Sequence, residues 1–117
     1  MLNMPIYVAK PFLAPIEEYS EILKGVWESG ILTHNGPLVQ RLEKEIDAYL
    51  GADSTVVVTN GTVALQLAMR ALDILEGEVI TTPFTFAATA ETILSQGADP
   101  VFVDICPQTY NIDTKKI

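Results

Sequence analysis

Four consecutive residues, Thr59-Asn60-Gly61-Thr62, have the types and the placement to hold an anion. Before them stands the apolar run Thr55-Val56-Val57-Val58, which reads as a buried strand. After them comes Val63-Ala64-Leu65-Gln66-Leu67-Ala68-Met69, which reads as a helix. A helix start carries unpaired backbone N–H groups and the positive end of the helix dipole. Gly61 lets the chain turn and lets a ligand come close to the backbone, and Thr62 adds a hydroxyl. Together these make a cradle for a phosphate. The same residues also suit a capped helix start with nothing bound, since strand-turn-helix junctions are common in α/β proteins.

A second junction follows in Ile80-Thr81-Thr82-Pro83-Phe84-Thr85-Phe86-Ala87-Ala88-Thr89, where a strand leads through a polar and aromatic turn into another helix. In a parallel sheet both turns fall at the carboxyl ends of strands, where open α/β folds bind ligands. A phosphate cradle and an aromatic ring on one edge suit a flat aromatic cofactor with a phosphate tail. Taken alone, an aromatic such as Phe86 at a helix start is ordinarily core. Asp104 ends a third apolar run, Val101-Phe102-Val103. A carboxylate there could be catalytic, though more often such a residue caps a turn through its own backbone.

The elements that must position these residues are legible from periodicity. Residues 1–13 read as an extended arm containing Pro5 and Pro11. Pro15 suits a first helical turn, and Ile16, Tyr19, Leu23 and Val26 then recur on one face of a helix to about Glu28, ended by Ser29-Gly30. The polar loop Leu32-Thr33-His34-Asn35-Gly36 leads to a second helix from Pro37 to Leu50. Its apolar residues Leu38, Leu42, Ile46 and Leu50 are four apart, and Gly51 stops it. The pattern then changes. Val56-Val57-Val58, Val79-Ile80 and Val101-Phe102-Val103 are short apolar runs of the kind that strands buried on both faces show. Helices near 62–72 and 86–96 separate them, with Gly77 and Gly97 just beyond. Strands alternating with helices imply βαβ units and a parallel sheet. The expected organisation is an arm and two helices over residues 1–50, followed by βαβ units over 51–117.

Composition narrows the classes. With 49% hydrophobic and 19% charged residues in 117, the chain is globular rather than disordered. Its net charge of −8 comes from scattered acids and argues against binding nucleic acid, whose phosphates need a basic surface. No apolar run reaches the length of a membrane span. The opening MLNMPIYVAKPFL does not read as a signal peptide. Cys106 is the only cysteine and His34 the only histidine, so neither an internal disulfide nor a Cys or His metal cluster can form. The cysteine usage fits a reducing cytosol.

VVVTNGTVAL, ITTPFTFAATAETI and GADPVFVDICPQTYNID, together with ESGILTHNGPLVQRLEKEIDAYLGA upstream, resemble the pyridoxal-phosphate-dependent sugar aminotransferases of the DegT/DnrJ/EryC1/StrS group. The resemblance covers nearly the whole chain, and it is to the start of a much longer protein. It implies the beginning of a fold type I, aspartate-aminotransferase-like large domain with a mostly parallel sheet. It also implies pyridoxal 5'-phosphate as cofactor, a nucleotide-linked keto sugar and an amino-acid donor, glutamate, as substrates, a homodimer and a cytoplasmic setting.

Residue by residue, the resemblance gives Gly61 and Thr62 the cofactor phosphate and Phe86 the face of the pyridine ring. Phe84 becomes a pocket wall or core. The loop Thr33-His34-Asn35 is implied to lie near the active site. Cys106 stands where relatives commonly carry an acid, and no functional consequence is expected. The family's Schiff-base lysine and its pyridine-nitrogen aspartate are implied to lie downstream. Asp104 is therefore not given the latter role. Lys115 and Lys116, following Asp113 as a plausible helix cap, are not given the former, and the chain alone is expected to be inactive. Two rivals remain. One is a sugar dehydratase of the same family, in which histidine replaces the lysine. The other is a small non-enzymatic α/β protein that binds an anion or a partner through the same cradle, with a closed sheet edge. A fragment would instead leave an apolar face exposed.

Overall fold

Apolar residues at helical spacing, stopped by glycine, account for most of the architecture. The computed structural model describes residues 7–117. Its elements are α1 (Ile16–Ser29), α2 (Pro37–Leu50), α3 (Gly61–Ala71), β1 (Glu78–Thr81), α4 (Ala88–Gln96) and β2 (Asp99–Phe102). A single 3-10 turn, Thr114–Lys116, follows. The chain divides into two units, one closing at Val57 and the other comprising Val58–Ile117.

In the first unit, residues 7–15 form neither helix nor strand, and the arm's Pro5 lies outside the described residues. The α1 helix ends at Gly30, whose φ of 67° is left-handed, and α2 starts with Pro37 at its first position. Both helices match the sequence pattern closely. They do not pack on one another, however, and neither buries a residue. The run Thr55–Val58 departs from expectation: it is not a strand. A strand exists only through hydrogen bonds to a neighbour, and no described residue supplies one. The Val57 N–H instead donates to Glu43 Oε1 of α2 at 3.0 Å.

The second unit holds a parallel pair of strands joined through α4. Val79 lies opposite Pro100 and Ile80 opposite Val101, and the pairing extends past the strand ends where the Val103 N–H donates to the Thr81 carbonyl at 2.8 Å. Among the described residues the strands form one βαβ unit, and the chain is α/β with a parallel two-stranded sheet. Ile93, Ala98 and Val103 are its buried apolar residues, with Thr92 buried beside Ile93. Gly97 links α4 to β2. Its φ is 96°, and a Cβ there would lie 2.7 Å from the Leu75 carbonyl oxygen, so two independent constraints require glycine. Among the described residues, no further strand pairs with the outer edge of β1 or β2.

Candidate functional site at the carboxyl edge of the sheet

The path of α4 sets the geometry. It leaves the carboxyl end of β1 and returns to the amino end of β2, so its own N-terminus stands at the carboxyl edge of the sheet. The α3 helix packs on α4, and the Arg70 Nε–H donates to Gln96 Oε1 at 3.0 Å, joining their C-terminal ends. The N-terminus of α3 therefore faces the same edge as that of α4. Gly61, Thr62, the turn 82–87 and Asp104 all belong to this region of the second unit.

At α3, Asn60 is the cap. Its backbone is extended, with φ −166°, and its Oδ1 accepts from the Val63 N–H at 3.0 Å, while its carbonyl accepts from the Ala64 N–H at 3.1 Å. Two donors are thereby satisfied from inside. The N–H groups of Gly61 and Thr62 bond no other described residue. The space around Gly61 is open, with nothing within 4 Å of where a Cβ would stand. These donors, the Thr62 hydroxyl and the positive end of a helix of 11 residues form an anion-competent surface. The sequence reading left the capping role of Asn60 unassigned, although asparagine just before a helix is a recognised signal for it.

Phe86 precedes α4 rather than lying in its first turn. Its carbonyl accepts from the Thr89 N–H at 3.0 Å. The side chain is 81% exposed, so it is not core within this chain, contrary to the ordinary expectation for an aromatic at a helix start. Phe84 is not core either. It is 63% exposed and stacks on Tyr110, with ring centroids 5.9 Å apart and an interplanar angle of 27°. Tyr110 lies in a hairpin that the sequence reading did not single out, and nothing in local periodicity links it to Phe84.

Asp104 caps the turn after β2. Its Oδ1 accepts from the Ile105 N–H at 2.8 Å, and Lys116 Nζ approaches Oδ2 at 3.4 Å. The Ile105 N–H first, and Lys116 second, hold its carboxyl below the usual value of 3.8. Asp113 caps the final turn by accepting from the Lys115 N–H at 3.1 Å. Cys106 sits in the hairpin, its thiol pKa lowered mainly by the backbone N–H of Gln108. Thr33, His34 and Asn35 belong to the first unit, where they help line a cavity of about 370 Å³ with Ile22, Val26 and Leu38. His34 and Asn35 both have positive φ, 59° and 58°. The described residues contain no cluster of three or more metal-ligating side chains and no helix long and apolar enough to cross a membrane.

Known proteins resemble this chain throughout. Residues 15–117 match the family model described as the DegT/DnrJ/EryC1/StrS aminotransferase family. The chain is 45% identical over 104 residues to a dTDP-4-amino-4,6-dideoxy-D-glucose transaminase of Shigella dysenteriae, a match spanning 89% of this chain and 28% of that protein. It is 44% identical over its whole length to the Escherichia coli protein of the same description, of which it spans 31%. Among solved structures, DesI in the presence of its TDP-sugar product superposes with a TM-score of 0.85 at 34% identity, over 99% of this chain and 29% of that one. NtdA from Bacillus subtilis with bound PMP superposes with a TM-score of 0.78 at 32% identity, over 100% and 28% respectively. The chain thus spans less than a third of the length of these relatives.

Proposed function

Because the chain belongs to the DegT/DnrJ/EryC1/StrS aminotransferase family, we propose that it is the N-terminal part of a pyridoxal-phosphate-dependent enzyme that transfers an amino group, from glutamate, to a keto sugar carried by a nucleotide. The names of the Shigella and Escherichia relatives support a nucleotide sugar as substrate. The setting is cytoplasmic synthesis of deoxyamino sugars for surface polysaccharides, by a homodimer. One observation carries the reading. The free N–H groups at the start of α3 share a sheet edge with an aromatic ring that this chain leaves exposed.

Pyridoxal phosphate fits these residues. The open space at Gly61 would admit a phosphate against the backbone, and the Gly61 and Thr62 N–H groups and the Thr62 hydroxyl would hold it. Phe86 would hold the pyridine ring through an aromatic contact, worth about 0.5–1.5 kcal/mol beyond the area it covers. When bound, the cofactor supplies the electron sink that amino transfer requires. No lysine of this chain receives the covalent or proton-shuttling role. The family resemblance puts that lysine downstream, and Lys115 and Lys116 stand in a 3-10 turn after the Asp113 cap rather than at a strand end. The 117-residue chain alone is therefore expected to show no turnover with cofactor, glutamate and a keto sugar nucleotide above the cofactor-only background.

The direct test is cofactor titration of the full-length protein, followed by absorbance. Thr62→Val removes one hydroxyl bond to a charged group, which contributes about 1.5–3 kcal/mol, so affinity falls roughly tenfold or more. Phe86→Leu weakens binding while Phe86→Trp is tolerated. Unchanged affinity in Thr62→Val reduces that residue to part of a helix start. Normal binding in both Phe86 variants removes the stacking assignment.

A further inference from the structure

The turn 82–87 carries Phe86 on a ring that is 81% exposed, so something other than burial must fix where that ring stands. Two tethers are local. Thr82 Oγ1 accepts from the Phe84 N–H at 3.1 Å, and the Thr85 and Thr89 hydroxyls lie 3.0 Å apart, tying the turn to α4. The third comes from a distant part of the chain. Tyr110 stacks on Phe84, two residues before Phe86.

Tyr110 is delivered by a hairpin built to hold it. The Cys106 N–H donates to the Asn111 carbonyl at 2.8 Å, the Tyr110 N–H to the Cys106 carbonyl at 2.8 Å, and the Asp113 N–H to the Asp104 carbonyl at 2.9 Å. Ile105 and Ile112 form an antiparallel bridge between the two arms, and Lys116 closes the base against Asp104. Tyr110 adopts a φ of 60°, the left-handed region that a bulky side chain ordinarily avoids. The hairpin thus holds Tyr110 in a left-handed conformation with its ring stacked on Phe84. The ring is 65% exposed, so the contact is not a by-product of core packing.

We propose that Tyr110 is a positioning residue: its ring, stacked on Phe84, fixes the turn that presents Phe86 to the cofactor. The proposal rests on the reading of Phe86 as the ring-stacking residue. Tyr110 touches no reacting atom, and its effect passes through Phe84 and the backbone of the turn.

The test uses the full-length enzyme with Tyr110→Asn, Tyr110→Phe and Phe86→Leu. Asparagine removes the ring but tolerates a left-handed backbone, and phenylalanine keeps the stack. In the cofactor-free enzyme, amide hydrogen exchange over 82–87 is expected to rise about two- to tenfold in Tyr110→Asn, the range that losing an aromatic pair implies. It stays at the wild-type level in Tyr110→Phe. Cofactor affinity follows the same order. Exchange over 82–87 that is unchanged in Tyr110→Asn overturns the proposal, as does raised exchange with normal cofactor affinity. Weakened binding in Phe86→Leu beside normal binding in Tyr110→Asn defeats the role of Tyr110 alone. Normal binding in Phe86→Leu defeats the stacking assignment, and the positioning role with it.

Discussion

The two units of this chain place similar amounts of regular structure in very different surroundings. The α1 and α2 helices are longer than α3 and α4, and each carries a clear apolar stripe, yet they bury nothing. The shorter α4 buries Thr92 and Ile93 because α3 and two strands lie against it. The difference teaches that helical patterning states which face wants cover but not where the cover comes from. In the βαβ unit the cover is local. For α1 and α2 it is absent among the described residues. The relatives are more than three times as long as this chain, and in them the remaining length is available to supply it.

The largest effect that would sharpen this contrast is a pair of truncations in the 117-residue chain. Ile93→Ala is expected to lower stability by about 2–5 kcal/mol. Trp27→Ala, on α1 beside its apolar stripe and 75% exposed, is expected to stay within about 0.5 kcal/mol. Urea midpoints would measure both, and equal losses would break the contrast. If cover over α1 in the full-length protein extends to Trp27, Trp27→Ala there rises to about 3–5 kcal/mol.

A smaller effect separates two glycines by sign. Gly97→Ala meets a left-handed φ and the Leu75 carbonyl at once, so a loss of more than about 1 kcal/mol is expected. Gly25→Ala lies inside α1 with open space around it, and a gain of about 0.5–1 kcal/mol is expected from helix propensity. Thermal unfolding of both variants reads the difference. A gain in Gly97→Ala as well would show that Gly97 is no more constrained than a surface glycine.

Much of this was legible in the sequence, for reasons that differ by residue. Four-residue spacing from Leu38 to Leu50 and the flanking Pro37 and Gly51 bound α2 because the information lies within the helix itself. Gly77 and Gly97 mark left-handed turns for the same reason. The run Thr55–Val58 misled because β-propensity reports a residue's suitability for a sheet, not the presence of a neighbour. The role proposed for Phe86 was reachable only through family resemblance, since an isolated aromatic favours the core. The Phe84–Tyr110 contact was not reachable at all, because it joins two turns through the path of the backbone between them.

The smallest expected effect concerns pH. Asp104 has its carboxyl pKa lowered by the Ile105 N–H and by Lys116. Its contribution is therefore fully present above the unfolded-state value near 3.8 and is lost as pH falls through the lower, folded-state value. Asp104→Asn should lower stability slightly at neutral pH, leave it unchanged at the acid extreme, and so flatten the acid limb between them. Because the carboxylate is fully exposed, the change should be slight. An unaltered acid limb would show that the Asp104 cap adds nothing to the hairpin beyond its backbone bonds.

The pairing of β1 with β2 also has a consequence in time. Glu78 finds Asp99 only after α4 and its flanking turns have been made. At about 5–20 residues per second, synthesis of that intervening stretch takes roughly one to four seconds. For that interval a nascent β1 has no partner, and an unpaired strand is a template for any other extended chain nearby. With only four residues, headed by Glu78, it offers a short and partly charged template. Brevity thus limits the edge that β1 offers to another chain before β2 arrives.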